Sequence, residues 1–285
     1  MTHAKKTITL EQIEDRMVDP TIIRQMVRGY FERVSIPQVH IEKHVLTISC
    51  VDSRLPPAHV LSHEHGQAYA VQTVANVVPR LDTKRPYDEQ LIQVAAALEY
   101  AVSHKGINEI IIMGHTDCGG AEARLLQDPT LPNVNGWMNH VCIDGLHTPS
   151  TELSAALKLS PFYYESGRRE SERACLRTSV ENIKEMPFIK EAIAKTRLSL
   201  AGVMCDIQNR NLEISYGNRS ARGAVSDLVR RFKQFKSDVW GPNGCMHELD
   251  VNGQNPKALI LTGISPYVAP ENVFGIKPGD SFIHR

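Results

Sequence analysis

Residues 44–120 carry three short apolar runs and one alanine-rich run, in the order strand, strand, helix, strand. "HVLTISCVDS" is rich in β-branched residues and ends in a polar turn followed by "LPP", which reads as a buried strand entering a loop. "AYAVQTVANVVP" reads as a second strand, stopped by Pro79. "YDEQLIQVAAALEYAVSHKG" has acidic residues early, alanines in its centre, and Lys105 and Gly106 at its end, the marks of a helix with a defined stop. "INEIIIMGHTDCGG" is a buried strand running into a glycine-rich turn. A strand, a crossover helix and a further strand predict an α/β fold with a parallel-sheet core and flanking helices.

Outside that region the signals are shorter. Residues 10–34 mix polar and apolar residues at helical spacing. Residues 124–170, with "DPTLPNVNGWMNH" and "LKLSPFYYESGRRE", read as proline- and glycine-broken chain with short helices between. "SERACLRTSVENIKEMPFIKEAIAKTR" is helical to Met186, broken at Pro187 and then resumes. "LSLAGVMCDIQNRNLEISYG" reads as a strand pair turning at "QNRN". "GNRSARG" suggests a boundary, giving one domain over 1–217 and a tail over 218–285 that holds a basic amphipathic helix and a strand.

The 32 basic and 32 acidic residues balance, so nothing in the charge points to nucleic acid or a membrane surface as partner. No apolar run approaches the ~20 residues of a membrane span. "MTHAKKTITLEQIEDRM" lacks the apolar centre of a secretory signal, and the expectation is an intracellular, cytoplasmic protein. Six cysteines in 285 residues are too few for a disulfide scaffold. Cys142, Cys175, Cys205 and Cys245 read as small buried hydrophobes, and His59, His63 and His65 as solvated loop histidines.

Two turns, each after a buried strand, carry metal-ligand residue types. One is C-V-D-S-R, with Cys50, Asp52 and Arg54; the other is H-T-D-C-G-G, with His115 and Cys118. In a parallel sheet the loops after the strands share one edge, so these residues can converge. Two thiolates and one imidazole suit zinc, and three protein ligands leave a fourth position open, as a catalytic site requires. Arg54 can hold Asp52 in a bidentate fork, which would keep that carboxylate off the metal. The C-x-x-C spacing of a redox pair is absent.

These motifs resemble those of the β-class carbonic anhydrases, nearer the plant-type branch. The similarity extends through "LPPAHVL", "ALEYAV", "IIIMGH", "LPNVNGWMNH" and "LSLAGVMCDI", over roughly residues 20–217. The resemblance implies zinc on Cys50, His115 and Cys118, with Asp52 and Arg54 as a gating dyad. It implies reversible hydration of CO2 to bicarbonate by a zinc-activated hydroxide. By position in the family's motifs, Gly119 would supply an oxygen-binding N–H, and Tyr69, Val74 and Tyr100 would line an apolar wall. It also implies a homodimer or higher homo-oligomer. CS2 or COS as substrate, or a zinc-stabilised scaffold without catalysis, are the alternatives that these residues leave open.

The chain departs from the family in three places. Gln72-Thr73 replaces the usual Arg-Asn, "SHEHGQ" replaces a Pro-Gly-Asp/Glu pattern, and Ile41 stands where a partner-reaching glutamine is usual. The tail carries that glutamine. With Pro57 set on Pro270, Val60 falls on Val273 and Gly66 on Gly279, and "NGQNPKALILTG" brings Gln254 to the family's glutamine position. Phe282 stands at the family's second partner-donated position. Cys50, Asp52 and Arg54 fall on Gly263, Ser265 and Tyr267. The tail therefore resembles a truncated, degenerate second unit, a helix–strand half-repeat without zinc ligands that lends Gln254 and Phe282 to a live site.

Overall fold

The computed structural model describes residues 45–61, 68–81, 89–141, 154, 157, 159–218, 222–241, 244–246, 249, 252–256, 258–265 and 269–285. The helix expected over 10–34, His63, His65, Cys142 and Tyr267 lie outside them. Five strands form the main sheet: β1 (Val45–Cys50), β2 (Ala68–Thr73), β3 (Glu109–His115), β4 (Ser199–Asp206) and β5 (Asn211–Gly217), in the order β2-β1-β3-β4-β5. The first four are parallel and β5 is antiparallel to β4. A parallel-sheet core with flanking helices is thus the architecture.

The described helices are α1 (Pro57–Val60), α2 (Glu89–Glu99, continued by a wider turn over Tyr100–His104), α3 (Gly119–Leu126), α4 (Pro132–Met138), α5 (Pro161–Glu185), α6 (Pro187–Ala194), α7 (Arg222–Val239) and α8 (Pro270–Phe274). Alternate residues of each strand serve opposite faces. Leu46, Ile48, Ile110 and Ile112 pack with Leu98 of α2, Val180 and Ile183 of α5 and Ile189 of α6. Val45, Ile111, Met113 and Val203 pack with Phe232 and Phe235 of α7 and with Trp240 just beyond it. The Phe235 and Trp240 rings meet edge-on at 5.3 Å between centroids. Strands covered on both faces have no solvent side, which is why β1 is buried along its whole length and β3 from Ile110 onward.

Three local expectations differ from what is found. β2 ends at Thr73, not at Pro79: Val74–Asn76 form a 3₁₀ turn with Ala75 and Asn76 at φ 55° and 52°. Side chains hold that turn. Thr73 Oγ1 donates to Val77 O, Ser179 Oγ to Asn76 O, and Trp137 Nε1 to Val74 O. The chain around Pro161 and Gly167 is not broken. Pro161 starts the 25-residue α5, where its missing N–H is harmless, and Gly167 passes close to Leu125. The boundary at 217–223 is not one of packing, since the tail's α7 supplies the aromatic cover of one face of the main sheet.

The tail's two strands, β6 (Ala258–Leu261) and β7 (Ser281–His284), form a separate parallel pair starting at Ala258↔Ser281. β1 and β2 start at Val45↔Ala68. The registration that sets Pro57 on Pro270 also sets Val45 on Ala258 and Ala68 on Ser281, so both strand pairs and the short proline-led helix within each coincide.

Candidate metal centre

β1 and β3 are adjacent and parallel, with Ser49 beside Met113, so Cys50 and His115 reach the same sheet edge. The turn after β3 brings Cys118 back as the N-cap of α3. Asp117 makes that turn at φ 60°, a left-handed conformation that aspartate tolerates better than most residues. The ligand atoms of Cys50, His115 and Cys118 lie within 4.8 Å of one another, and all three residues are buried. The two sulfurs are 4.0 Å apart.

His115 shows what this cluster lacks. Its Nδ1 is 2.8 Å from Thr116 O and donates there, so Nε2 is the nitrogen available to a metal. That Nε2 is buried with no hydrogen-bond partner among the described residues, a costly arrangement unless something fills it. The thiols share the same deficiency. The hydrogen bond from Cys118 holds Cys50 well below the ordinary thiol value against the effect of burial. The same bond, with burial, pushes Cys118 well above it. Burial disfavours the His115 cation, but the Cys50 thiolate outweighs it and pushes the imidazole up to about 9. A dication would stabilise both thiolates. A metal ion that accepts two sulfurs and one nitrogen fits these donors.

Asp52 stands beside the cluster, its Oδ2 4.0 Å from His115 Nε2. Oδ1 accepts from the backbone N–H and Nε of Arg54, at 2.9 and 3.0 Å. Oδ2 accepts from Arg54 Nη2 at 2.8 Å and from Gln254 Nε2 at 2.9 Å. Burial pushes this carboxyl up, but His115 and the Arg54 fork outweigh it and hold it below the usual carboxylate value. Arg54 Nη2 also donates to Asp117 O at 2.7 Å, tying the two turns together. Gln254 is itself oriented: Ser53 Oγ donates to its Oε1 at 2.6 Å.

The other expected residues divide. Val74 packs with the cluster that contains Cys50, Cys118 and Met138. Gly119 opens α3, and a Cβ there would meet nothing within 4 Å. Its neighbour Gly120 has no such room, because a Cβ would come 2.6 Å from Val74 Cγ1. Gly119→Ala is therefore expected to fold like the parent, and Gly120→Ala to lose about 1–3 kcal/mol by overpacking, as read by urea unfolding. Tyr69 and Tyr100 are outside the cluster that holds Val74. Tyr69 is in the core cluster of Leu46 and Ile48. Tyr100 is 44% exposed near the end of α2, with His104 against its ring and Lys105 over it. Both belong to elements whose nearby ends serve the sheet's interior or its opposite edge. Phe282 is half-buried on β7, in register with Leu259. His59 is half-buried, and its Nε2 is 2.7 Å from Ile276 O.

Two participants carried no sequence signal. Glu172 of α5 is buried, accepts the Cys118 N–H on Oε1 at 3.2 Å, and is held by Arg169 on Oε2. Ser53, between the two dyad residues, orients Gln254. Cys175 and Cys205 are buried free thiols, as expected, and burial pushes Cys175 up to about 12.

The profile of the family described as "Carbonic anhydrase" matches residues 45–212, from the first residue of β1 into β5. The chain belongs to the carbonic anhydrase family. Its class is β. Among its relatives are Beta carbonic anhydrase 3 of Arabidopsis thaliana, 28% identical over 167 residues, and Beta carbonic anhydrase 5, chloroplastic, of the same plant, 30% identical over 157. These alignments cover 56% and 55% of this chain, and 60% and 49% of the relatives, so the chain spans about half to three-fifths of their length. A carbonic anhydrase of Helicobacter pylori is 30% identical over 167 residues, covering 56% of this chain and 70% of that one. The solved Coccomyxa β-carbonic anhydrase in complex with acetazolamide aligns with a TM-score of 0.49 at 22% identity, over 74% of this chain and 90% of that one.

Proposed function

We propose that this chain is a zinc-dependent carbonic anhydrase that interconverts CO2 and bicarbonate, with zinc on Cys50, His115 and Cys118. The observation that carries the reading is the buried, unpartnered Nε2 of His115 facing two buried cysteines. Zinc, when bound, supplies Lewis-acid activation of water at neutral pH.

The chain's own residues do the rest. Asp52 is an ionised acceptor whose two oxygens each take two hydrogen bonds, so it is held in place beside the cluster and is not drawn in as a ligand. Arg54 maintains that choice and ties it to the turn bearing Cys118. The N–H of Gly119 lies in the first turn of α3, where helix N–H groups have no partner within the helix, and it can donate into the space before the helix, to the oxygen on which negative charge develops as CO2 becomes bicarbonate. Val74 and its neighbours give that space an apolar side, suited to a substrate with little polarity. Gln254 completes the shell around Asp52. The described cysteines are free, in keeping with a reducing, cytoplasmic setting. No described helix is long and apolar enough to cross a membrane.

Cys50→Ser tests the metal assignment. Zinc measured by atomic emission should fall from one per chain to near none, and CO2 hydration should go with it; retained hydration would sink the reading. Gln254→Ala should keep full zinc and lower the hydration rate roughly 10-fold, as loss of an outer-shell partner does. Unchanged kinetics would remove Gln254 from the site.

A further inference from the structure

β2 is the end strand of the main sheet, yet its outer edge is not open. Ala70 N–H donates to Ile264 O at 3.3 Å, and Gln72 N–H donates to Arg285 O at 3.1 Å. Both acceptors belong to the tail. The second contact has a particular meaning. In the registration that sets Val45 on Ala258 and Ala68 on Ser281, Gln72 falls on Arg285. Two equivalent residues therefore meet each other, which is what a two-fold axis between two copies produces. Further bonds cross the same junction: Gly279 N–H donates to Ser53 O at 2.8 Å, and Gln254 joins Ser53 to Asp52.

The same registration pairs surfaces that differ in burial. Leu259 and Leu261 are 62% and 73% exposed, whereas Leu46 and Ile48, the residues on which they fall, are 0% exposed under α2 and α5. The leucine-bearing face of β6 is open among the described residues, while the tail is hydrogen-bonded to the β2 edge.

We propose that residues 252–285 act as an internal second subunit. They close the β2 edge of their own chain about a local two-fold axis, so each chain carries a complete site and no second copy is needed there. An oligomer of this chain must use another surface. That the completed site is catalytic rests on the function proposed above; the docking does not.

The double variant Ala70→Cys/Ile264→Cys, with wild-type circular dichroism, reports the docking without reference to activity. After oxidation, alkylation and denaturation, the expected product on a non-reducing gel is a single chain of faster mobility, absent from either single variant. Disulfide-linked dimers, or no bridge at all, would overturn the proposal. A second measurement uses the site. Cys50→Ser keeps an intact tail, and Gln254→Ala keeps intact metal ligands. Co-expressed and co-purified, they should show no more hydration per Cys50-bearing chain than Gln254→Ala alone. Recovery to the wild-type rate per such chain would mean that tails are exchanged between chains, and the proposal fails. Should Cys50→Ser itself prove active, the functional reading falls while the bridging result stands.

Discussion

Arg54→Ala is expected to lower the unfolding free energy of the metal-free protein by about 3 kcal/mol and, separately, to stop catalysis without emptying the metal site. The first effect follows from burial. Asp52 is 5% and Arg54 13% exposed, and removal of one member of a buried ion pair strands the other, typically at a cost of about 3–5 kcal/mol. The lower end applies because the backbone N–H of residue 54 and Gln254 still donate to the carboxylate. The second effect follows from position. Oδ2 is 4.0 Å from His115 Nε2, and without the guanidinium fork it is free to turn into the open ligand position. Zinc per chain should stay near one while the hydration rate falls by on the order of 100-fold, the upper range for a metal's outer-shell partner. Arg54→Lys should recover much of the stability and little of the rate, since an ammonium restores charge without the fork. An Arg54→Ala enzyme with wild-type hydration would show that Asp52 needs no restraint.

The second large effect is expected in the tail. Arg285 and Glu271 form an ion pair at 5% and 2% exposure, through Arg285 Nη2 and Glu271 Oε2. In the registration that sets Pro57 on Pro270 they fall on Gln72 and Ala58, neither charged. Arg285→Gln leaves Glu271 Oε2 without this donor, and Oε1 already has no partner among the described residues. The expected loss is about 3–5 kcal/mol. Adding Glu271→Ala, so that the tail carries the first unit's own uncharged pair, should return most of it, because uncharged replacement of a buried ion pair is often neutral. Urea unfolding gives both numbers. Amide exchange at Gln72, whose N–H donates to Arg285 O, should quicken in the single variant and slow again in the double. A single variant as stable as the parent, or a double no better than the single, would show that the pair does not hold the tail in place.

The parts legible in the sequence are those set by local rules. Cys50 and His115 end runs too apolar to be anything but buried strands, and parallel neighbours must deliver them to one edge. The Asp52–Arg54 fork is likewise local, because residues two apart on one turn share a side. Where tertiary partners decide, the sequence misleads. "AYAVQTVANVVP" is apolar past Thr73, and the turn that stops the strand is held in part by hydrogen bonds from Ser179 and Trp137, far along the chain. α5 runs through Gly167 because it packs against Leu125, which no helix propensity records. Gln254 could be aligned with a family position, but whose site it serves depends on where the tail docks. Glu172, inside a polar helical stretch, looks like any solvated glutamate until Cys118 N–H is found against it.

A sheet edge is a row of unpaired donors and acceptors, and an unprotected one recruits foreign strands. The tail seals β2 with its own carbonyls, so this side of the main sheet cannot template growth. The opposite side is guarded differently, by β5, whose single antiparallel pairing carries a register shift at Gly202/Val203. Such an irregularity bends a strand and spoils it as a template. β6 has neither guard: it pairs only with β7 among the described strands and turns two leucines to solvent. The segment that relieves the main sheet of one sticky edge thus carries a smaller one of its own, with Leu259 and Leu261 exposed on it.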